Sequence, residues 1–439
     1  MVSQRVEKVT GGAPQSCISI GTVAVVVVCA SVVEVAVDVG AGAVSGTAVH
    51  AVRSATRTTR RMEKRSRIAD HYEDGKRLPF RFVRVRVHLR SPGRVDGVVR
   101  DIVDGRWAEP EGIAEQTLGE KSIALPGLVD SHAHFAAPIG KDWQSDDYEE
   151  AVGRARQAVL AGVLLALDKG WSNLHTIRLI EEVAPHLRPE VEAAGIINAV
   201  EGGYWPDFAR ELTSATFEEG IRRSADEGKG WVKLIGDWPR RGQGPVVNFD
   251  EDQLRRAVEL ASESGSKVAI HTMAREAPSL AVEAGVHSIE HGLFLSRNDL
   301  VPLGERAGMW VPTIIRTEAV VQQLGPESSG GKLLLEGLEN VRELMPEAAE
   351  AGVNLLAGTD VTVGAHDVAL EASRMVEYGL PVPLALRAVS WDGYTATGRS
   401  TGYEPGEEAN AVLFPNDPLD DISVLRHPEL VIRAGRVIS

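Results

Sequence analysis

The sequence predicts an α/β protein: a (β/α)8 TIM-type barrel with a small β-sandwich-like module built from both chain ends. Three observations carry this. Short apolar runs alternate with amphipathic stretches through the middle of the chain, the pattern of repeated βα units and so of a parallel sheet. Two-residue alternation marks both ends, where Phe80 to Leu89 read FRFVRVRVHL and Leu430 to Ser439 read LVIRAGRVIS. Finally, His, Lys and Asp recur at or near the ends of the apolar runs, the edge on which such a barrel carries its chemistry.

Taken in order, residues 1–61 differ in character from the rest of the chain. Ile18 to Val33 is rich in Val and Ala, Glu34 and Asp38 come next, and a basic patch runs from Arg53 to Arg67. One reading is a signal peptide or membrane anchor; the other is a start assigned upstream of the true Met62. The apolar part is short for a span and no clear cleavage site follows, which favours the second reading and expects 1–61 to pack loosely or not at all.

Residues 62–122 supply the first part of the small module. Alternation up to Leu89, a Ser91-Pro92-Gly93 turn and the run VDGVV indicate an antiparallel hairpin with one solvated face. Residues 403–439 supply the rest, with AVLFP at 411–415 and the closing LVIRAGRVIS.

Residues 123–402 form the inserted barrel. Its expected strands are Ile123–Val129, Val163–Leu167, Val191–Val200, Trp231–Ile235, Lys267–His271, Ser288–His291, Met309–Ile315 and Val353–Leu356. Helical patterns lie between them, such as 250–264, with Asp250 as N-cap and Gly265 just past the end. Eight such repeats favour a closed barrel over a doubly wound open sheet, and no Gly-rich phosphate loop follows an early strand.

Composition narrows the function. Formal net charge is −15, and residues 1–61 are net basic, so the remaining body is more acidic still and is not expected to bind nucleic acid. The only cysteines, Cys17 and Cys29, lie in the first thirty residues. The body therefore has neither disulfides nor thiolate ligands, which suits a reducing, cytoplasmic compartment.

The residues with chemical content fall at strand ends. His132 and His134, in ALPGLVDSHAHF, share one face of a strand with Ala133 turned away. Lys233 lies in GWVKLIG, His271 in VAIHTM, His291 in SIEHGLF and Asp360 in LLAGTD, so a barrel brings all six into one ring. Imidazole nitrogen with carboxylate oxygen suits zinc, with manganese, iron, cobalt or nickel as alternatives. Lys233 has two readings. It is a structural salt bridge, or its pKa is depressed by desolvation and the neutral amine takes up carbon dioxide as a carbamate able to bridge two ions. Its company in the ring favours the carbamate. Asp360 can be both a ligand and a proton acceptor.

Other histidines receive structural readings: His175 and His186 on a helical stretch, His50, His71, His88 and His427 outside the barrel, and His287 too deep along its strand to reach a shared ion. His366 is placed on a surface loop. Arg240 and Arg241, after the fourth strand, are candidates to hold a substrate carboxylate.

The set ALPGLVDSHAHF, GWVKLIG, VAIHTM, AGVHSIEHG and LLAGTD resembles the metal-dependent amidohydrolase superfamily, in its prolidase-like and imidazolonepropionase-like branch. The stretch from LPVPLALRAVSWDGYTATG to the C-terminus is similar to the end of that branch. The resemblance implies two divalent ions, most simply zinc, with His132, His134 and Asp360 on one, His271 and His291 on the other, and carboxylated Lys233 and a hydroxide between them. It implies that Asp360 passes a proton to the leaving amine. The lysine separates this chain from single-metal deaminase relatives. Two loops depart from the family pattern: LLALDKG where relatives often carry Thr-Thr-x-Arg-Asp, and EGGYWP where Gly-Gly-His is common. Both are expected to shape the substrate pocket.

The expected activity is hydrolysis of a C–N amide or cyclic amide bond in a small molecule, such as a dipeptide or an N-acyl amino acid. Lactone or ester hydrolysis and mononuclear deamination remain alternatives on the same barrel. A non-catalytic metal-binding scaffold is the alternative of another class. No membrane association is expected of the body, and homo-oligomerisation is left open.

Overall fold

The computed structural model describes residues 84–138, 146–240, 243–360 and 367–439. The expectation for residues 1–61 lies outside these, as do Arg241, His50, His71 and His366.

The alternating N-terminal run forms the strand Val85–Leu89, paired antiparallel with Val98–Val103 in the register Leu89↔Val98. The chain reverses through Ser91 to Arg94, whose N–H donates to the Ser91 carbonyl at 3.2 Å, with Gly93 at φ 67° as a Pro-Gly turn requires. Arg106–Ala108 and Gln116–Leu118 complete this sheet. On its polar face, buried Asp101 accepts from Arg86 Nε at 2.8 Å. A second sheet joins Ile123–Leu125, Ala411–Phe414, Leu430–Arg433 and Arg436–Val437. Val87, Leu89 and Trp107 of the first sheet share one apolar core with Ala411, Leu413 and Ile432 of the second. Segments within 85–125 and 409–437 thus build one two-sheet module.

The run expected as the first barrel strand is therefore split. Ile123–Leu125 pairs antiparallel with Ala411–Phe414, in the register Val412↔Leu125, and only the residues after Pro126-Gly127 enter the barrel. Gly127 has φ 140°, and a Cβ there would meet the Leu164 side chain at 2.7 Å, so the crossing needs glycine.

The barrel strands are β1 Leu128–Ala133, β2 Val163–Asp168, β3 Glu190–Ala194, β4 Gly230–Ile235, β5 Lys267–Thr272, β6 Ser288–His291, β7 Met309–Val311 and β8 Asn354–Leu355. Each pairs in parallel with the next. The ring closes between β8 and β1, where Ser131 N donates to Ala357 O at 2.8 Å and Asp360 N to His132 O at 2.7 Å.

Two further strand expectations change. The run 191–200 breaks after Ala194, and Asn198–Val200 forms a separate strand beside Arg210–Leu212. The run 309–315 is strand only to Val311. Thr313 then turns at φ 48°, and Ile314 and Ile315 begin the helix Ile314–Leu324 with their side chains buried. An apolar pair on a buried helix face reads like a strand because periodicity cannot separate the two over so few residues. The helix Glu251–Glu263 follows expectation: Asp250 accepts from Gln253 N and forms a full capping box, and Gly265 lies beyond the end at φ 72°.

Inside the barrel, Val129, Leu165, Leu167, Ala194, Trp231, Ala269, Met309 and Val311 form one apolar plug. Outward residues of the same strands, among them Val232, Leu234 and Ile270, pack with the surrounding helices. Among the described residues, no helix is long and apolar enough to cross a membrane.

Candidate active site

Strand alternation aims some of the site and local irregularity aims the rest. On β4, Trp231 belongs to the interior plug and Val232 and Leu234 to the outer layer, so Lys233 points inward. Ala269 and Ile270 set His271 inward on β5 in the same way. On β1, Val129 faces the interior, so strict alternation would turn Ala133 in and both histidines out. A register irregularity between Asp130 and Ala133 reverses this, and Ala133 packs in the outer layer. Buried Asp130 braces that bend, accepting from His132 N at 3.2 Å and Thr359 Oγ1 at 2.6 Å.

Backbone conformation makes the other two adjustments. His291 has φ 63° and Asp360 φ 50°, both in the left-handed region. Trp310 Nε1 donates to the His291 carbonyl at 2.9 Å and so holds that turn. Three successive strand ends, His291, Thr313 and Asp360, share this strained geometry.

The structure brings all six residues together. His132, His134, Lys233, His271, His291 and Asp360 line one cavity of ≈ 550 Å³. His132 Nε2 lies 3.2 Å from His134 Nε2, and Asp360 Oδ1 lies 3.5 Å from the latter. The His291 ring is 5.3 Å from that of His132 and 4.7 Å from that of His271. Donor atoms of His132, His291 and Asp360 all fall within 4.8 Å of one another.

The far side of the rings sets which nitrogen faces the centre. His134 Nδ1 donates to the Gly170 carbonyl at 2.6 Å, leaving Nε2 as the lone-pair atom. Thr313 gives its hydroxyl proton to the Pro312 carbonyl, so it accepts from His291 Nδ1 at 2.6 Å. His132 Nδ1 lies 2.7 Å from Glu290 Oε2. Three imidazoles thus have Nδ1 engaged and Nε2 turned inward, the arrangement that orients metal-binding histidines.

Electrostatics follow from burial. Desolvation, with the neighbouring positive groups, pushes His134 and His271 down to about 3, so both are neutral at pH 7. Burial opposes ionisation of Asp360, but the facing imidazoles and the Arg316 guanidinium outweigh it and hold the carboxyl well below its usual range. Burial also pushes the Lys233 ammonium down to about 8, against the pull of Glu290 and Asp360. Its Nζ makes no hydrogen bond or ion pair among the described residues, so the salt-bridge reading of Lys233 finds no partner.

Several residues escaped the sequence reading. Glu290 and Lys169 are both fully buried, with Lys169 Nζ 3.2 Å from Glu290 Oε1 and 4.1 Å above the Trp231 ring. Lys169 belongs to LLALDKG, which was expected to shape a substrate loop; it continues the inward series of Leu165 and Leu167 and lies beneath the site. No residue of that stretch lines the cavity, although Trp171, which follows it, does, whereas EGGYWP contributes Tyr204 and Trp205. Arg240 does not line the cavity and donates to Asn248 Oδ1 at 3.2 Å; the guanidinium that does is Arg316, from the first turn of helix Ile314–Leu324. The strand misread at 309–315 hid Arg316. His287 keeps its structural role, accepting from Val268 N at 3.1 Å, and His175 lies 2.6 Å from Asp146.

Comparison with known proteins places these features in context. Residues 123–438 match the amidohydrolase family. An uncharacterized protein of Mycobacterium tuberculosis is 30% identical over 361 residues, covering 80% of this chain and 95% of that protein. The ochratoxinase of Aspergillus niger is 25% identical over 365 residues, 70% of this chain and 73% of that enzyme. Among solved structures, a Xaa-Pro dipeptidase with methionine bound in its active site superposes with a TM-score of 0.68 at 21% identity, covering 81% of this chain and 100% of that one.

Proposed function

The chain belongs to the amidohydrolase family of hydrolases, and we propose that it cleaves a C–N amide or cyclic amide bond of a small molecule at a centre of two divalent ions. The observation that supports this best is a fully buried Lys233 amine with no hydrogen-bond partner among the described residues, in one cavity with four histidines and an ionised carboxylate. A permanently uncompensated ammonium there would cost several kcal/mol. A neutral amine can instead attack carbon dioxide, forming an N–C bond and releasing a proton to give a carbamate.

The donor set fits the ions. His134 and His271 need lose no proton at pH 7, Asp360 is already charged, and nitrogen with oxygen donors suits zinc. In this reading His132, His134 and Asp360 would hold one ion and His271 and His291 the other, and a carboxylated Lys233 would supply oxygen donors to the centre. When bound, such ions polarise a carbonyl and bring the acidity of water to near neutrality. Asp360 accepts the proton of the attacking water and returns it to the leaving nitrogen.

The test is metal content after expression with bicarbonate and purification without chelator. About two equivalents per chain are expected. The close grouping of His132, His291 and Asp360 favours a second reading, a single ion with Lys233 uncarboxylated, which one equivalent would establish. Absence of bound metal would overturn both.

A further inference from the structure

Three imidazoles of the site have a partner at Nδ1, and one partner differs in kind. Glu290 serves His132 and the Thr313 hydroxyl serves His291, both with side chains. His134 is held by main chain, the Gly170 carbonyl at 2.6 Å, and a carbonyl is only as well placed as the loop that carries it. That loop leaves β2 at Asp168. Leu165 and Leu167 of β2 belong to the interior plug, whereas Leu164 and Ala166 belong to the outer layer, so Asp168 turns away from the cavity and does not line it.

The Asp168 carboxylate is fully buried and accepts from three neutral donors. Phe135 N donates to Oδ2 at 2.6 Å, Gly170 N to Oδ1 at 2.8 Å and Thr176 Oγ1 to Oδ2 at 3.2 Å. Burial pushes the carboxyl up to about 6 and the three donors pull against that rise, so it is ionised at pH 7. Phe135 follows His134 in the chain, and Gly170 carries the carbonyl that receives the His134 ring. One carboxylate therefore fastens both ends of the cradle around this histidine. The rest of the loop has little freedom. Lys169 N donates to Ala133 O at 2.8 Å, Gly170 stands at φ 77°, and a Cβ there would collide with the Gly195 carbonyl. Trp171 then sets its ring edge-on to His134, with centroids 5.2 Å apart.

Resting on the proposed metal centre, we propose that Asp168 is the positioning residue of His134: by gripping the Phe135 and Gly170 N–H groups it keeps Nδ1 on the Gly170 carbonyl and Nε2 turned toward His132 and Asp360. The stretch LLALDKG, which lines no part of the cavity, thus acts on the site from behind it. A purely structural role, tying β2 to the helix His175–Glu182, would run through Thr176 instead, so the two roles can be separated.

The first readout needs no metal. In full-length metal-free protein with isotope-labelled histidine, the Nδ1–H of His134 is expected as a slowly exchanging low-field proton resonance, assigned by its loss in His134→Asn. Asp168→Asn keeps the shape but turns an amide NH2 toward one of the two backbone donors, and should abolish or broaden that resonance, whereas Thr176→Val should leave it in place. The second readout is chelator competition on the metal-loaded protein. Asp168→Asn should weaken metal binding about ten- to a hundredfold, and the effect should shrink to less than about twofold in a His134→Asn background, because the two residues act as one unit. Asp168→Glu keeps the charge one methylene further out, should recover part of the resonance, and carries the same comparison if the Asn variant does not fold. An unchanged resonance in Asp168→Asn, or an equal loss of affinity with and without His134, would overturn the assignment. If the unaltered protein binds no metal, the reading of a metal centre falls while the resonance still decides the role of Asp168.

Discussion

Lys169 and Lys233 both point into this barrel and are fully buried, yet their surroundings differ. Lys169 lies at the level of the Trp231 ring, sealed from the cavity, with Glu290 at 3.2 Å. Lys233, two residues along β4 from Trp231, lines the cavity and has no partner for its Nζ among the described residues. Both are buried, so burial does not distinguish them. What does is the counter-ion: a paired lysine is a strut, whereas an unpaired one is available for chemistry. Glu290 belongs to both regions, since its second oxygen lies 2.7 Å from His132 Nδ1, and Lys169 leads the charges that hold its carboxyl well below the usual range against burial.

The comparison breaks most decisively at Lys233. Lys233→Ala is expected to lose one or both ions and about a thousandfold or more in turnover, measured by elemental analysis and steady-state kinetics. Near-normal metal content in that variant would reduce Lys233 to the status of Lys169. Next, Asp360→Asn should keep most of the metal and lose turnover by about 10²- to 10⁴-fold, because the amide cannot carry the proton. Activity close to that of the unaltered protein would remove the shuttle role.

The buried pair should respond in stability first. Lys169→Met leaves Glu290 charged and uncompensated, at a cost of about 3–5 kcal/mol in denaturant unfolding, and Lys169→Met with Glu290→Leu should recover much of it. If the single change costs nothing, the pair is not a strut. Glu290→Gln sharpens the link to the site: with His132 less firmly oriented, metal affinity should fall about ten- to a hundredfold, read by competition with a chelator.

The smallest effect is on pH dependence. Lys233 sits at about 8 in the folded protein against 10.5 for the ordinary group, so the unfolded chain binds more protons between those values. Stability of the metal-free protein must therefore rise with pH from about 8 toward 10.5 on its account. The same sign applies to His134 and His271, lowered from 6.5 to about 3, which withdraw stability as pH falls through that window. Lys233→Met should abolish the upper gradient and leave the lower one, as urea unfolding across pH would show.

How far the site was legible depended on how local its causes are. His132, His134, Lys233, His271, His291 and Asp360 could be placed together because each stands at or near the end of an apolar run, and a βα-barrel gathers strand ends. Glu290 was passed over because it precedes His291, and alternation allows only one of two neighbours to face inward. The φ of 63° at His291 allows both. Arg316 and Lys169 were missed for related reasons: one lay in a helix read as strand, the other in a strand extension read as loop.

By itself the sequence determined the alternation of strands and helices through the barrel, the hairpin at the N-terminal end and the six strand-end residues that share one cavity, since propensity, turn chemistry and periodicity act over a few residues. Only the tertiary structure decided that Ile123–Leu125 joins the terminal sheet, that an irregularity turns His132 and His134 inward, and that Glu290 serves Lys169 and His132 together. It also set Trp171, Tyr204, Trp205 and Trp238 in one cavity with Arg316. These depend on contacts between segments far apart in the chain, where the cost of burying a charge is met, or not met, by whatever the fold places beside it.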